Sequence, residues 1–294
     1  MQNLFSRQHD IYPLIDPSSH FISQTYASKV VLVTGGGTGI GAHTALYYVK
    51  AGARVALVGR RVERLEERKS IIEKEVPGAQ VLIVAGDISE PEVGKSIVTQ
   101  AVNRWGRIDV VIANSALGMG GADRLGTKDP AAWWYTQEVI IRGTLNIIHP
   151  ALPELVKTKG HIIVTTSGAA HMRLPLTSDY IVSKYAIGRF AEILALDYPE
   201  LSVYIFNPGA IATPGALEAQ AQIEIKGTIQ MPDSIDLPAA TCLWLTDHNN
   251  LDAKFLSGRY VEASWDLNEV LAKKEEIVRD DLLVTKLAGP VEST

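Results

Sequence analysis

Val30-Val31-Leu32-Val33-Thr34-Gly35-Gly36-Gly37-Thr38-Gly39-Ile40-Gly41 is the stretch on which the reading of this chain turns. Its first residues, β-branched and aliphatic without interruption, read as a strand buried on both faces. The glycines follow at once, and a helical pattern runs from Ala42 to Ala51. Glycine suits such a junction because it takes positive φ and lets a ligand approach the main chain closely. The N–H groups that open the next helix lack partners and lie at its positive end, so they favour phosphate. The spacing fits Gly35-x-x-x-Gly39-x-Gly41 or Gly37-x-Gly39-x-x-Ala42, and the strand–turn–helix setting points to a dinucleotide pyrophosphate.

Outward from this stretch, strands and helices alternate. Strands are expected at Arg54–Gly59, Gln80–Ala85, Ile108–Ala113, His161–Thr166, Ser202–Phe206 and Arg259–Ala263. Helices are expected at Arg60–Val76, Pro91–Trp105, Pro130–His149, Tyr180–Tyr198 and Pro238–Thr246. The pattern predicts an α/β fold, a doubly wound parallel sheet of about seven strands with helices on both faces. Residues 1–28 read as an irregular arm and 29–264 as a single domain with a lid segment at about 208–237. Residues 265–294 read as a short helix and tail.

Composition narrows the function. The 294 residues carry a net charge of −5 with acids and bases well mixed, which argues against nucleic acid and anionic membranes as partners. No apolar run approaches the roughly 20 residues of a membrane span. The single cysteine, Cys242, fits a reducing compartment, and the cytoplasm is the expected location. Seven histidines show no HExxH spacing, so no metal site is expected.

Ligands of such sheets bind beyond the carboxyl ends of the strands. There the sequence places Asp87, Asn114 with Ser115, and Ser167. Tyr180 and Lys184 follow at i, i+4, with Cβ atoms about 5–6 Å apart on one helix face. A lysine beside a phenol is expected to lower its pKa from about 10, making Tyr180 a proton donor to a carbonyl oxygen. At the end of the second strand stand Gly59, Arg60 and Arg61, with no carboxylate to repel a 2′-phosphate. NADP(H) is therefore the expected cofactor. Trp133, Trp134 and Cys242 read as packing residues, and His43, His171, Met172 and Arg173 as solvated or pocket-lining side chains.

With these residues assembled, the chain resembles the short-chain dehydrogenase/reductase family over about Lys29 to Ala263. The resemblance rests on TGGGTGIG at Thr34, GDI at Gly86, ANSA at Ala113, Ser167, Tyr180-x-x-Ser183-Lys184 and NPGAIAT at Asn207. In wording its ends resemble fungal secondary-metabolism members. The resemblance implies a Rossmann-type fold, with Tyr180 as acid/base, Ser167 on the substrate oxygen and Lys184 on the nicotinamide ribose. Cofactor contacts are implied at Gly35, Gly37, Thr38, Gly39, Ile40, Gly41, Arg60, Asp87, Ile88, Asn114, Tyr180 and Lys184. Pro208, Gly209, Ile211 and Thr213 are implied along the nicotinamide side. The expected reaction interconverts a ketone and a secondary alcohol on a small, fairly apolar molecule, in a homodimer or homotetramer. One departure stands out: the family usually carries asparagine where this chain has Ile140. That position leaves open a non-redox activity, such as an isomerase or cyclase, or a cofactor-binding sensor.

Overall fold

The computed structural model describes residues 4–117, 124–173, 177–221 and 230–287. Its strands are β1 (Val30–Thr34), β2 (Arg54–Gly59), β3 (Val81–Ala85), β4 (Val110–Ala113), β5 (His161–Thr165), β6 (Ser202–Asn207) and β7 (Tyr260–Glu262). They form one sheet in the order β3-β2-β1-β4-β5-β6-β7, every neighbouring pair parallel. The helices around it are α1 (Ser18–Ser23), α2 (Gly39–Lys50), α3 (Val62–Glu75), α4 (Pro91–Trp105), α5 (Pro130–Gln137) and α6 (Gly143–Thr158). After them come α7 (Ser178–Asp197), α8 (Pro214–Ala221), α9 (Asp236–Thr246), α10 (Leu267–Ala272) and α11 (Lys274–Arg279). This is a Rossmann-type doubly wound sheet.

The apolar run of β1 is divided between two layers. Val31 and Val33 pack with Tyr48 and Leu243, whereas Val30 and Leu32 pack with Ile97 and Ile147. A strand with helices over both faces has no polar side, which is why the sequence there shows no alternation. Each buried aliphatic side chain contributes about 1.5–3 kcal/mol.

Three expectations need correction. Residues 4–28 contain a 3₁₀ turn at Pro13–Ile15 and α1, and Phe5, Tyr12, Ile15 and Tyr26 are buried in the core. Six residues of helix are too few to show a period, so the sequence reads as irregular there. The helix expected over Pro130–His149 is instead α5, a π-helical turn at Glu138–Arg142, and α6 running on to Thr158. After β7 two short helices stand in place of one. Residues 222–229 of the lid segment and 288–294 of the tail lie outside the described residues. No helix among the described residues is long and apolar enough to cross a membrane.

At the amino end of the sheet, Asp109 accepts from the Val30 N–H at 2.9 Å and pairs with Lys29 and Arg107. Beside it the buried His161 ring contacts His248, Nε2 to Nδ1 at 3.3 Å. Burial drives the His161 pKa down from 6.5 to about 3, with His248, Lys29 and Asp109 as the neighbouring charges. The unfolded chain thus takes up this proton near pH 6.5, and the folded chain only near pH 3. Stability should therefore fall on acidification below pH 6.5, by up to about 1.4 kcal/mol per pH unit for this group. Urea unfolding between pH 7.5 and pH 5 checks this: His161→Phe should show a shallower loss than the wild type, and equal slopes would refute the assignment.

Candidate active site

Gly35 leaves β1 with φ +66°, and α2 begins at Gly39. Thr38 precedes that helix without a side-chain cap, so the first-turn N–H groups remain a donor set of the kind a pyrophosphate takes. A Cβ on Gly41 would lie 2.6 Å from the Gly35 carbonyl oxygen and from Asn114 Nδ2, so only glycine fits under this turn. A groove opens above it. Of the residues expected at a cofactor, Gly35, Gly37, Thr38, Gly39, Ile40, Arg60, Asp87, Ile88, Asn114 and Thr213 line this groove. Gly41, Pro208, Gly209 and Ile211 are not among the residues that line it.

The groove also takes in Arg61, Arg64, Ser115, Val139, Pro214 and Gly215. Three arginines at the end of β2 and the start of α3 give this end a cationic wall suited to a phosphate. Asp87 faces them. Burial pushes its carboxyl up, but hydrogen bonds from Tyr135 and from the Ser89 N–H and hydroxyl, with the charge of Arg60, hold it below the usual range. Glycine cradle, uncapped helix and arginine cluster together fit a dinucleotide.

Ser167, Tyr180 and Lys184 come together beyond the ends of β5 and β6, outside the lined groove. Ser167 opens a 3₁₀ turn at Gly168–His171, where its Oγ accepts from the Ala169 N–H at 3.2 Å, and its hydroxyl acts on the Tyr180 phenol, favouring phenolate. Lys184 lies beneath the Tyr180 ring, Nζ 5.7 Å from its centroid, and donates to the Thr165 carbonyl at 2.6 Å. Thr166 Oγ1 in turn donates to the Lys184 carbonyl at 2.8 Å.

The expected depression of the Tyr180 pKa is not found. Burial raises it above 10, and the Ser167 hydroxyl alone opposes this. Lys184 does not bring it below 10: the amine is itself buried and engaged with Thr165, and burial lowers its own pKa to about 7, so it is only partly protonated near neutrality.

Ile140 sits in the π-helical turn, fully buried among Val139, Ile147 and Ile148. Its carbonyl accepts from Thr144 Oγ1 at 2.7 Å. Trp134 is exposed, and Trp133 Nε1 donates to Ser178 Oγ at 3.0 Å, just ahead of Tyr180. His43 is held by Asp236 at 2.5 Å, and Cys242 is buried. Among the described residues no group of three or more His, Cys, Asp or Glu could hold a metal ion. Two contributors escaped the sequence reading. Arg64 stands one turn into a helix whose surface is charged throughout, and Tyr135 reaches Asp87 across the groove, a contact no local pattern signals.

A family model described as short chain dehydrogenase matches residues 29–224, and the chain belongs to that family. It is 30% identical to short chain dehydrogenase citE of the fungus Monascus ruber, over 88% of each chain. To short chain dehydrogenase pigC of the same fungus it is 28% identical, over 95% of this chain and 91% of the relative. The identity is 35% to 11-beta-hydroxysteroid dehydrogenase-like 3 of Arabidopsis thaliana, over 66% of this chain but only 62% of that protein's length. Among solved structures, a short chain dehydrogenase of Shigella flexneri complexed with NADP matches at a TM-score of 0.72 and 25% identity. That likeness covers 82% of this chain and 98% of the other.

The burial of Ile140 leads to a direct expectation. Ile140→Asn removes a buried aliphatic and leaves an amide without a partner, so it should destabilise the fold by at least about 2 kcal/mol. Urea unfolding measures this, and a variant as stable as the wild type would show that the site accepts a polar group.

Proposed function

We propose that this short chain dehydrogenase is an NADP(H)-dependent oxidoreductase that interconverts a ketone and a secondary alcohol on a small, fairly apolar molecule. The observation that carries the reading is the grouping of Ser167, Tyr180 and Lys184 beyond the end of a groove whose far wall is Arg60, Arg61 and Arg64. The absence of a carboxylate at the end of β2 favours the phosphorylated cofactor. Supporting this, the Shigella flexneri protein is complexed with NADP, and the Arabidopsis thaliana relative carries a hydroxysteroid dehydrogenase name. The glycine turn would hold the pyrophosphate, Arg60 the 2′-phosphate, and Lys184 the nicotinamide ribose. Pro208, Gly209 and Ile211 would act on the nicotinamide side.

Bound NADPH supplies a hydride to the carbonyl carbon. The remaining work falls to the chain. The Ser167 hydroxyl donates a hydrogen bond to the carbonyl oxygen and fixes its position. Tyr180, held protonated at neutral pH by burial, transfers its phenol proton to that oxygen as negative charge develops there. A protonated Lys184 beneath the ring stabilises the phenolate left behind. Oxidation of the alcohol runs through the same groups in reverse. Ile140 supplies no polar group to this end, yet the three side chains remain assembled, and the oxidoreductase reading stands on them.

The proposal includes a cytosolic homodimer or homotetramer. On α7, Ile187 and Leu194 are core residues. The exposed large hydrophobic residues of that helix are Val182, Tyr185, Ile193 and Leu196, with Trp134 and Leu145 exposed on α5 and α6. Light scattering at micromolar concentration should give two or four times the 31.9 kDa chain mass, and a monomer would remove this part of the proposal.

Turnover tests the chemistry. With a panel of ketones and both reduced cofactors, absorbance at the nicotinamide band should show NADPH-dependent reduction. Tyr180→Phe should lower kcat by about 100-fold or more while NADPH affinity stays near wild type. A Tyr180→Phe protein that turns over normally, or a wild type that prefers NADH, would overturn the corresponding half of the proposal.

A further inference from the structure

Tyr135 belongs to α5, a helix that supplies no residue of the glycine turn or of the Ser167–Tyr180–Lys184 group. Its hydroxyl nevertheless joins two polar residues that line the groove, Asp87 and Arg60. Tyr135 Oη donates to Asp87 Oδ2, and Arg60 Nη1 donates to Tyr135 Oη at 3.2 Å. The other oxygen of Asp87, Oδ1, accepts from the Ser89 N–H at 2.9 Å and from Ser89 Oγ at 2.8 Å. A phenol has one proton to give, and here it goes to the carboxylate. Its oxygen is thereby left as the acceptor for the guanidinium. The relay has a fixed direction, from Arg60 through Tyr135 to a carboxylate that Ser89 holds in place.

This matters because Arg60 is an exposed side chain with several freely rotating bonds. A guanidinium that grips a phosphate must first be ordered, and that loss of rotamer freedom weakens binding. One nitrogen tied to Tyr135 removes part of the loss beforehand, and the fork keeps further donors for the phosphate. We infer that Tyr135 is a positioning residue for cofactor discrimination, orienting Arg60 towards the 2′-phosphate that separates NADPH from NADH. This rests on the NADP(H) reading above. It also gives the end of β3 a part in the choice of cofactor, through a residue that need touch no cofactor itself.

Calorimetric titration with 2′,5′-ADP and ADP separates the phosphate contribution from catalysis. The proteins compared are the wild type, Tyr135→Phe, Arg60→Ala and the double variant. Tyr135→Phe should weaken 2′,5′-ADP by about two- to tenfold, the range for loss of one hydrogen bond, and leave ADP within about twofold. In the Arg60→Ala background the same substitution should cause no further loss, because Tyr135 acts through that arginine. Tyr135→Leu, which also lacks the hydroxyl, should reproduce the pattern and serves if the phenylalanine variant folds poorly. Equal weakening of both nucleotides would place the effect at Asp87 and overturn the inference. Tighter binding of either would show that Tyr135 obstructs the groove, and would overturn it too. A wild-type preference for 2′,5′-ADP that Tyr135→Phe leaves intact overturns the inference alone. A wild type that binds both equally overturns the cofactor reading and the inference together.

Discussion

Thr34 ties the sheet together where its strand order reverses. Its Oγ1 accepts from the backbone N–H groups of Asn114 and Ser115, each at 2.9 Å, and its carbonyl accepts from Asn114 Nδ2 at 3.1 Å. These bonds bind the end of β1 to the end of β4 just beyond their parallel register, which runs from Val31 opposite Val110 to Val33 opposite Ile112. Connections on either side of this point diverge to opposite faces of the sheet, and divergence is what opens a crevice there. The glycine turn depends on the same bonds. Gly35 follows Thr34 directly, and Asn114 Nδ2 sits where a side chain on Gly41 would have to go. A groove for a dinucleotide thus follows from one buried threonine and two glycines in register.

How far the sequence anticipates this depends on the range of the forces involved. β2 at Arg54–Gly59 and α4 at Pro91–Trp105 match to the residue, because an apolar run and a Pro start with a Gly stop are local signals. The grouping of Ser167, Tyr180 and Lys184 follows from helix spacing and from strand ends, both countable along the chain. What escapes is set by tertiary contact. The π-helical turn at Glu138–Arg142 inserts a residue into a helix with no breaker there to announce it. The raised Tyr180 pKa follows from burial that no pairwise spacing reveals. Tyr135 meets Asp87 from 48 residues away in sequence.

The opening residues illustrate the same limit and bear on the functional end of the sheet. Arg7 pairs with Glu262 at the end of β7, while His9 Nδ1 meets Asp233 Oδ1 at 2.6 Å. Asp233 is buried, and its other oxygen accepts from the Ala210 N–H at 2.6 Å. Its carboxylate lies so close to Gly209, which has φ +96°, that a Cβ there would come within 2.5 Å of Oδ2. The segment after β6 is therefore shaped by a carboxylate that the N-terminal arm itself engages. The arm lies ahead of the 29–224 segment that defines the family, so a family-level reading passes over it.

Burial also fixes which group carries charge near Tyr180. A lysine almost out of contact with water loses its proton readily, and Lys184, 2% exposed, does so near pH 7. The phenol above it holds its proton beyond pH 10 for the same reason, since burial disfavours phenolate. At neutral pH the tyrosine is therefore uniformly protonated, while the lysine is divided between its two forms. The charge of this end, and its sensitivity to pH around neutrality, belong to Lys184. The ammonium donates to the Thr165 carbonyl at 2.6 Å, and a ligand that brought further acceptors to Nζ would raise its proton affinity. Binding of such a ligand and protonation of the lysine are linked in this way, and each favours the other.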